Sequence, residues 1–192
     1  MMGLRIIGGD KKGKKLLSVK GMKTRPTADR MRESLFNILS SSIADSNVLD
    51  LFAGTGAFGI EALSRGASAA SFIDNDRAAL SVIEKNLKSC GYEGCSKIFR
   101  CNILINLKCL KAVAKPFDLV FMDPPYEKDC VYPSLVNLKR SSALQNGSII
   151  IVEHSPKEPV PEDLFGFEIS DQRRYGGTLF SFFNFLISTN KG

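Results

Sequence analysis

The sequence VLDLFAGTGAFG, residues 48–59, combines a short apolar run, a glycine-rich turn and the start of a second apolar segment. Gly54, Gly56 and Gly59 satisfy the pattern GxGxxG, and Asp74 follows Gly54 by twenty residues. A strand, a glycine turn and a helix in this order, with an acid about 20 residues onward, are typical of folds that bind an adenosine cofactor. The stretch therefore predicts a Rossmann-like α/β fold, but by itself it leaves open NAD or another adenosine cofactor.

Asp50, at the end of the predicted strand, favours one of these cofactors. A carboxylate there would repel the pyrophosphate of NAD, whereas it would attract the ammonium and sulfonium groups of S-adenosylmethionine. Asp74 ends the next predicted strand, where it can accept hydrogen bonds from both ribose hydroxyls, and Asn102 can present its amide to the adenine edge. The expected cofactor-binding residues are Asp50, Phe52, Ala53, Gly54, Thr55, Gly56, Asp74, Asn75, Asn102 and Asp123.

Short apolar runs alternate with amphipathic segments on the carboxyl side of this turn. The predicted strands are Val48–Phe52, Ala69–Ile73, Lys97–Phe99, Phe117–Met122 and Ser148–Val152. The predicted helices are Ala57–Arg65, Arg77–Cys90 and Pro133–Leu138. Strands that alternate with helices indicate a parallel, doubly wound sheet.

The C-terminal region departs from this alternation. Phe167–Ile169 and Leu179–Ile187 flank Tyr175-Gly176-Gly177 with no helical segment between them, so the two runs are expected to pair as an antiparallel hairpin. We therefore expect a mostly parallel seven-stranded sheet with an antiparallel C-terminal hairpin. This sheet would form a catalytic domain of residues 45–192.

A second chemistry-bearing stretch, DLVFMDPPY, covers residues 118–126. An apolar strand here ends in a carboxylate, two prolines and an aromatic ring. The prolines fix the backbone and lack N–H groups, so the carbonyl of Pro124 is free to accept a hydrogen bond. That carbonyl and Asp123 can hold an exocyclic NH₂ group, and the ring of Tyr126 offers a stacking surface for a base. We take Asp123, Pro124 and Tyr126 as the candidate catalytic residues.

The positive charge of the chain is confined to its N-terminal end. The net charge is +6, and residues 1–35 hold ten Lys or Arg against three acids, which leaves 16 basic and 17 acidic residues elsewhere. Leu4–Ile7 is a possible strand, Gly8–Lys15 a basic turn, and a helix is expected to begin near Thr27, with Arg30 and Arg32 off its apolar stripe. Residues 1–44 thus read as a basic extension, either an electrostatic footprint for a polyanion or a solubilising tail.

Composition narrows the class of protein. The 192 residues are 44% hydrophobic and 24% charged, as expected of one globular chain. No apolar run reaches the ~18 residues of a membrane span. The five cysteines form no CxxC pair and there is one histidine, so neither a zinc site nor a disulfide framework is expected. We expect a cytoplasmic protein without a metal.

The motifs together resemble a known family. DLFAGTG followed by DPPY is similar to S-adenosylmethionine-dependent amino-methyltransferases, and RIIGG (residues 5–9) with RPTADRMRESLFN (residues 25–37) resembles the RsmD family of small-subunit ribosomal RNA guanine-N2 methyltransferases. The resemblance implies methylation of a guanine in 16S ribosomal RNA, within the small subunit or its assembly intermediate. We expect the protein to act as a monomer. The residues expected to contact RNA are Arg5, Lys11, Lys12, Lys14, Lys15, Arg25, Arg30 and Arg32.

Two alternatives stay open. A DNA methyltransferase or another RNA amino-methyltransferase would share the DPPY core, although DNA enzymes usually add a target-recognition domain for which 192 residues leave little room. A non-catalytic RNA-binding protein would explain the basic extension but not the glycine turn together with DPPY.

Overall fold

The computed structural model of the protein describes residues 3–19, 26–158, 160 and 166–187. In these ranges the helices are α1 (Pro26–Ile38), α2 (Ser40–Ile43), α3 (Ala57–Ser64), α4 (Arg77–Cys90) and α5 (Val131–Arg140). The strands are β1 (Asn47–Leu51), β2 (Ala69–Asp74), β3 (Ser96–Arg100), β4 (Phe117–Met122), β5 (Leu144–His154), β6 (Phe167–Tyr175) and β7 (Thr178–Phe185). None of the helices in this part of the chain has the length and apolar character needed to cross a bilayer.

The strands form one seven-stranded sheet in the order β3-β2-β1-β4-β5-β7-β6. The strands from β3 to β5 are parallel, whereas β7 pairs antiparallel with both β5 and β6. The predicted mostly parallel sheet with an antiparallel C-terminal hairpin is confirmed. The chain reverses its direction of travel across the sheet between β1 and β4. Open α/β sheets bind ligands beyond the carboxyl ends of the strands at such a point.

The predicted elements are present, but several ends differ. Phe52, predicted as the last residue of β1, leaves the strand with a φ of 58°. Strand β5 begins at Leu144 rather than Ser148, because Leu144 pairs with Phe117 across a register shift. Strand β6 continues to Tyr175 rather than Ile169, because ladder pairing with β7 continues over polar residues beyond the apolar run.

The sheet is covered on both faces by apolar side chains. On one face, β-strand residues such as Phe72 and Phe121 pack with α1, α3, α4 and the N-terminal segment. On the other face, Val120 and Ile150 pack with α5 and the chain around Leu107–Leu110. Successive strand residues point to opposite faces of the sheet. The position of a residue in its strand therefore decides which of the two faces its side chain lies on.

The N-terminal segment is fastened to the sheet domain where the structure describes it. Leu4–Ile7 is not a strand, since Arg5 and Lys15 form a single isolated antiparallel bridge and the chain reverses through the basic turn, residues 8–15. Leu4, Ile6 and Leu16 are buried in the same core as α1, α3 and α4. The described N-terminal part of the predicted extension, residues 1–44, thus shares its core with the sheet and its helices.

A buried acid on α3 holds this segment in place. The carboxylate of Glu61, which is fully buried, accepts hydrogen bonds from the backbone N–H groups of Ile7 and Gly8, both at 2.7 Å. It also accepts from Arg65 Nε at 2.7 Å and lies 3.9 Å from Arg32 Nε. Ser64, the last residue of α3, bonds to the carbonyl of Gly8. The basic turn therefore lies at the carboxyl end of α3, about 12 Å along the helix from the glycine turn at its start.

Candidate active site

Four acidic side chains stand at the carboxyl ends of four neighbouring parallel strands. Asp74 ends β2, Asp50 is the fourth residue of β1, Asp123 follows β4 and Glu153 is next to last in β5. The sheet order β2-β1-β4-β5 places them in this sequence along one edge. Three of them were predicted as site residues, and Glu153 was not.

The glycine turn between β1 and α3 requires unusual backbone angles. Phe52, Gly54 and Gly56 all have positive φ, at 58°, 54° and 76°. At Gly56 a Cβ atom would come within 3.3 Å of the side chains of Ile60, Phe72 and Ile83. Glycine is therefore needed at position 56 for both its conformation and the space it leaves.

Asp74 connects the turn to the next strand. One of its carboxylate oxygens accepts a hydrogen bond from Gly54 N at 2.8 Å, and the other accepts from Asp76 N at 2.9 Å. Each carboxylate oxygen has two acceptor sites, so both retain capacity for a hydroxyl donor. Asp76 in turn caps α4 by accepting from Ala78 N. The half-buried Asp74 is thus oriented as a ribose-binding acid would be.

Asp50 is buried beneath the turn, with 1% of its surface exposed. Its carboxylate accepts a hydrogen bond from Gly59 N at 2.9 Å. Burial raises the pKa of Asp50 to about 8, and the nearby charge of Asp74 adds to this effect. A cation bound next to Asp50 would lower this pKa again, so the carboxylate of Asp50 favours a positively charged ligand.

Replacing Asp50 with Asn is expected to change how stability depends on pH. Because the folded pKa, about 8, lies above the ordinary value of 3.8, the stability that this group contributes is present below pH 4 and is lost as the pH rises towards 8. The variant lacks this loss, so its free energy of unfolding should rise relative to wild type between pH 4 and pH 8 and the difference should then level off. Urea unfolding across this range, without cofactor, measures it. A constant difference would contradict the raised pKa.

Asp123 and Pro124 follow β4 and lie beside the end of β1. The backbone N–H of Asp123 bonds to the carbonyl of Leu51, which fixes the start of the turn against β1. In the described part of the chain no hydrogen bond to the Asp123 carboxylate is found. Burial raises its pKa well above the usual range, and the neighbouring charges of Glu153 and Asp50 raise it further. An unpartnered acid at this position is suited to receive N–H groups from a ligand.

Tyr126 is held by its hydroxyl rather than by its ring. The hydroxyl donates to Glu153 Oε1 at 2.6 Å and lies 3.1 Å from Thr178 Oγ1 of β7, while the side chain is 37% exposed. Glu153 ends the apolar run SIIIV, just as Asp74 and Asp123 end theirs. The same strand-end signal could have found it.

The remaining predicted cofactor residues lie around the glycine turn with different exposures. Ala53 is buried and its N–H bonds to the carbonyl of Ile73, while Phe52 and Thr55 are half-buried. Asn75 is exposed beyond Asp74. Asn102 is also exposed, and its side-chain oxygen accepts from Leu104 N in its own loop. The structure thus brings most of this set together, with Asn102 at its border.

The basic residues expected to contact RNA fall into distinct groups. Lys12, Lys14, Lys15 and Arg30 are exposed, Lys11 is partly exposed beside Asp10, and Arg5 pairs with Asp29 at 3.4 Å. Arg25 lies outside the described residues.

Arg32 does not fit the expectation of an RNA contact. It is 5% exposed and its guanidinium donates to the Arg5 carbonyl and to Asp29 while it faces Glu61. Arg32 points inward because it pairs with Glu61 of α3. The spacing of apolar residues along α1 contains no information on this contact.

The described residues contain no cluster of three or more His, Cys, Asp or Glu side chains arranged to hold a metal ion. The acids of the glycine turn, by contrast, suit a cationic adenosine cofactor: Asp50 for the positive charge and Asp74 for the ribose. A doubly wound sheet with this turn and an unpartnered acid followed by Pro-Pro-Tyr defines the class of Rossmann-like methyltransferases.

Comparison with known proteins gives the family. The family profile described as "Conserved hypothetical protein 95" matches residues 4–184. "Ribosomal RNA small subunit methyltransferase D" of Escherichia coli K12 is 37% identical over 158 residues, which is 82% of this chain and 78% of that protein. The chain belongs to this RsmD family, as its N-terminal motifs indicated.

Two further comparisons cover nearly the full chain. "Putative rRNA methyltransferase YlbH" of Bacillus subtilis is 34% identical over 178 residues, 91% of this chain and 95% of that protein. The solved structure "Putative methyltransferase yhhF from Escherichia coli" matches with a TM-score of 0.84 and 32% identity, and covers 96% of this chain and 99% of the other. The N-terminal segment is therefore part of the shared architecture.

Proposed function

We propose that this protein uses S-adenosylmethionine to methylate the exocyclic N2 of a guanine in 16S ribosomal RNA, within the small subunit or its assembly intermediate. The observation that carries the proposal is the unpartnered carboxylate of Asp123 on the strand next to Asp50 and the glycine turn. The names of the two relatives and the N-terminal motifs support the choice of ribosomal RNA.

The cofactor would be held by residues of the glycine turn. Asp50 balances its positive charge, the backbone of residues 52–56 allows close approach, and Asp74 accepts from the ribose hydroxyls. Asn75 and Asn102 border the adenine. When bound, S-adenosylmethionine supplies an electrophilic methyl group.

Asp74→Ala is expected to weaken binding of S-adenosylmethionine by about 1–3 kcal/mol, because a half-buried charged acceptor is lost and Gly54 N is left without its partner. Isothermal titration of the folded variant measures the effect. Asp76→Ala is the matched control: it removes an exposed helix cap two residues away and should leave the affinity unchanged. Equal affinity for Asp74→Ala and wild type would remove Asp74 from the cofactor site.

The residues after β4 would hold the acceptor nitrogen. A base turned out of its stack, at a cost of a few kcal/mol, can reach the strand ends. Asp123 and the carbonyl of Pro124 accept from its NH₂ group, which orients the nitrogen lone pair, and Tyr126 packs on the base. Asp123 can then accept the proton that the nitrogen releases. The acceleration comes from orientation and from the placement of charge.

The basic turn would bind phosphates away from the target base. Because the turn lies at the far end of α3, it is suited to contact the RNA that flanks the modified nucleotide. The rest of the chain beyond residue 35 is close to neutral, so this extension supplies most of the long-range attraction. Arg30, exposed on α1, would add a contact, whereas Arg32 is needed inside the protein.

Changing Lys11, Lys12, Lys14 and Lys15 together to Gln is expected to weaken RNA binding and to flatten its salt dependence, because each phosphate contact contributes about −0.7 to −0.9 to the slope of log K against log salt. The measurement is affinity for 16S ribosomal RNA over a salt series. A variant with Lys85, Lys88, Lys97 and Lys115 changed to Gln has the same net charge and is the control. If both variants behave alike, the extension acts only through net charge.

The proposal is tested by labelled-methyl transfer to small subunits, to free 16S ribosomal RNA and to DNA, with identification of the methylated base. We expect N2-methylguanine in 16S ribosomal RNA. Methylation of DNA, or of an amino group in another RNA, would support the alternatives that share the DPPY core. Binding of NAD but not of S-adenosylmethionine in a calorimetric titration would overturn the cofactor assignment.

We also propose that the protein acts as a monomer in the cytoplasm. All five cysteines are free of disulfides, as suits a reducing compartment. Sedimentation of the protein alone tests the oligomeric state, and a dimer would contradict the proposal of a monomer.

A further inference from the structure

Glu153 is an acid on the acceptor side of the site to which the proposed reaction gives no role. The pairing of Met122 with Val152 places Glu153 beside Asp123, each one residue further along its strand. Neighbouring strands are about 4.8 Å apart. The two carboxyl groups therefore lie at the same level, where two adjacent polar atoms of one ligand can reach both.

The surroundings of Glu153 are apolar. It is the single charged residue at a narrow gap in the packing on the α1 face of the sheet, whose walls include the buried Leu35, Phe121 and Phe180. Apolar neighbours lower the local dielectric constant, which strengthens a hydrogen bond between this carboxylate and a ligand at the strand ends.

The carboxylate of Glu153 has capacity for a further donor. Its Oε1 accepts from the Tyr126 hydroxyl at 2.6 Å, and no donor to Oε2 is found among the residues that the structure describes. Burial raises the pKa of Glu153, which reflects the cost of holding this charge with few partners. An N–H group from a ligand would offset that cost.

We propose that Glu153 is the residue that selects guanine: its Oε2 accepts the N1–H of the target base while Asp123 holds the adjacent N2 amino group. This inference rests on the proposed function. Adenine and cytosine present a ring-nitrogen acceptor beside their amino group, so a carboxylate would repel them. Uracil has an N–H at that place but no amino group for Asp123.

The test compares guanine with 2-aminopurine, which keeps the N2 amino group but has an acceptor at N1. The wild-type protein first identifies the methylated position on small subunits. Subunits are then reconstituted with guanine or 2-aminopurine at that position, and kcat/KM is measured for both. Fluorescence of the 2-aminopurine reports entry of the base into the site separately from methyl transfer.

Glu153→Gln is the principal variant, because it keeps an oxygen for Tyr126 and places an N–H group where Oε2 was. We expect its kcat/KM for guanine to fall roughly 10- to 100-fold, since the N1–H of the base would then face an N–H donor instead of an acceptor. The value for 2-aminopurine should fall much less, so the preference for guanine collapses. Glu127→Gln, an exposed acid next to Tyr126, is the matched control and should keep both rates.

Tyr126→Phe separates base recognition from support of the tyrosine. If Glu153 acts only by holding Tyr126, this variant and Glu153→Gln should lower both rates by equal factors and leave the preference intact, which overturns the inference. If Glu153 reads N1, only Glu153→Gln changes the preference. Methylation of guanine with an unchanged preference in Glu153→Gln refutes this role alone, whereas absence of any guanine methylation by wild type refutes the proposed function and this role together.

Discussion

Replacing Asp123 with Ala is expected to lower the rate of methyl transfer by roughly 10²–10³-fold, the usual cost of losing one group that organises charge at the reacting atoms. The carboxylate orients the acceptor nitrogen, so affinity for S-adenosylmethionine should change little. Because burial and neighbouring acids raise the pKa of Asp123, its removal should not lower the melting temperature. Single-turnover methyl transfer to small subunits measures the rate, and calorimetry measures the affinity.

Asp123→Asn is the control for this experiment. It keeps one acceptor oxygen and the shape of the side chain but cannot take a proton. A rate between those of wild type and Asp123→Ala would show that both orientation and proton acceptance matter. A wild-type rate in Asp123→Ala would contradict the scheme.

Replacing Glu61 with Ala is expected to destabilise the protein by about 3–5 kcal/mol, because a buried carboxylate with several donors is removed and the buried Arg32 loses a partner. The backbone N–H groups of Ile7 and Gly8 also lose their acceptor. At roughly 2–4 °C per kcal/mol for a chain of this size, the melting temperature should fall by about 6–20 °C. Thermal unfolding followed by circular dichroism measures it.

Glu84→Ala on the exposed face of α4 is the matched control and should lie within about 0.5 kcal/mol of wild type. Hydrogen exchange at Ile7 and Gly8 adds a local measurement, since these amides should exchange faster only in Glu61→Ala. If Glu61→Ala is as stable as Glu84→Ala, the N-terminal segment is held by its apolar side chains alone.

Local sequence was sufficient to predict the strand and the helix that flank the glycine turn. The angles at Gly54 and Gly56 follow from a strand that must pass directly into a helix, and the apolar runs on each side are short enough to mark the strands. Asp74 and Asp123 were predicted as site residues because each follows such a run, and Asp50 because it lies near the carboxyl end of one. The parallel, doubly wound sheet could be inferred because strands and helices alternate.

The features that escaped prediction depend on contacts between distant segments. Arg32 is buried because Glu61 faces it from α3. Leu4–Ile7 forms a single bridge, and the amides of Ile7 and Gly8 bond to the side chain of Glu61 instead of to a strand. Glu153 ends an apolar run as Asp74 and Asp123 do, but its position beside Asp123 follows from the register of β4 and β5.

Asn86 on α4 joins the N-terminal segment to the glycine turn. Its side-chain oxygen accepts from Leu17 N at 2.7 Å, and its amide nitrogen donates to the carbonyls of Leu17 and Thr55 at 3.1 and 2.9 Å. A ligand that shifts Leu17 therefore alters a group that supports the turn. If RNA bound to this segment changes the affinity for the cofactor by some factor, thermodynamic linkage requires that the cofactor change the affinity for RNA by the same factor. The apparent dissociation constant of each would then depend on the concentration of the other.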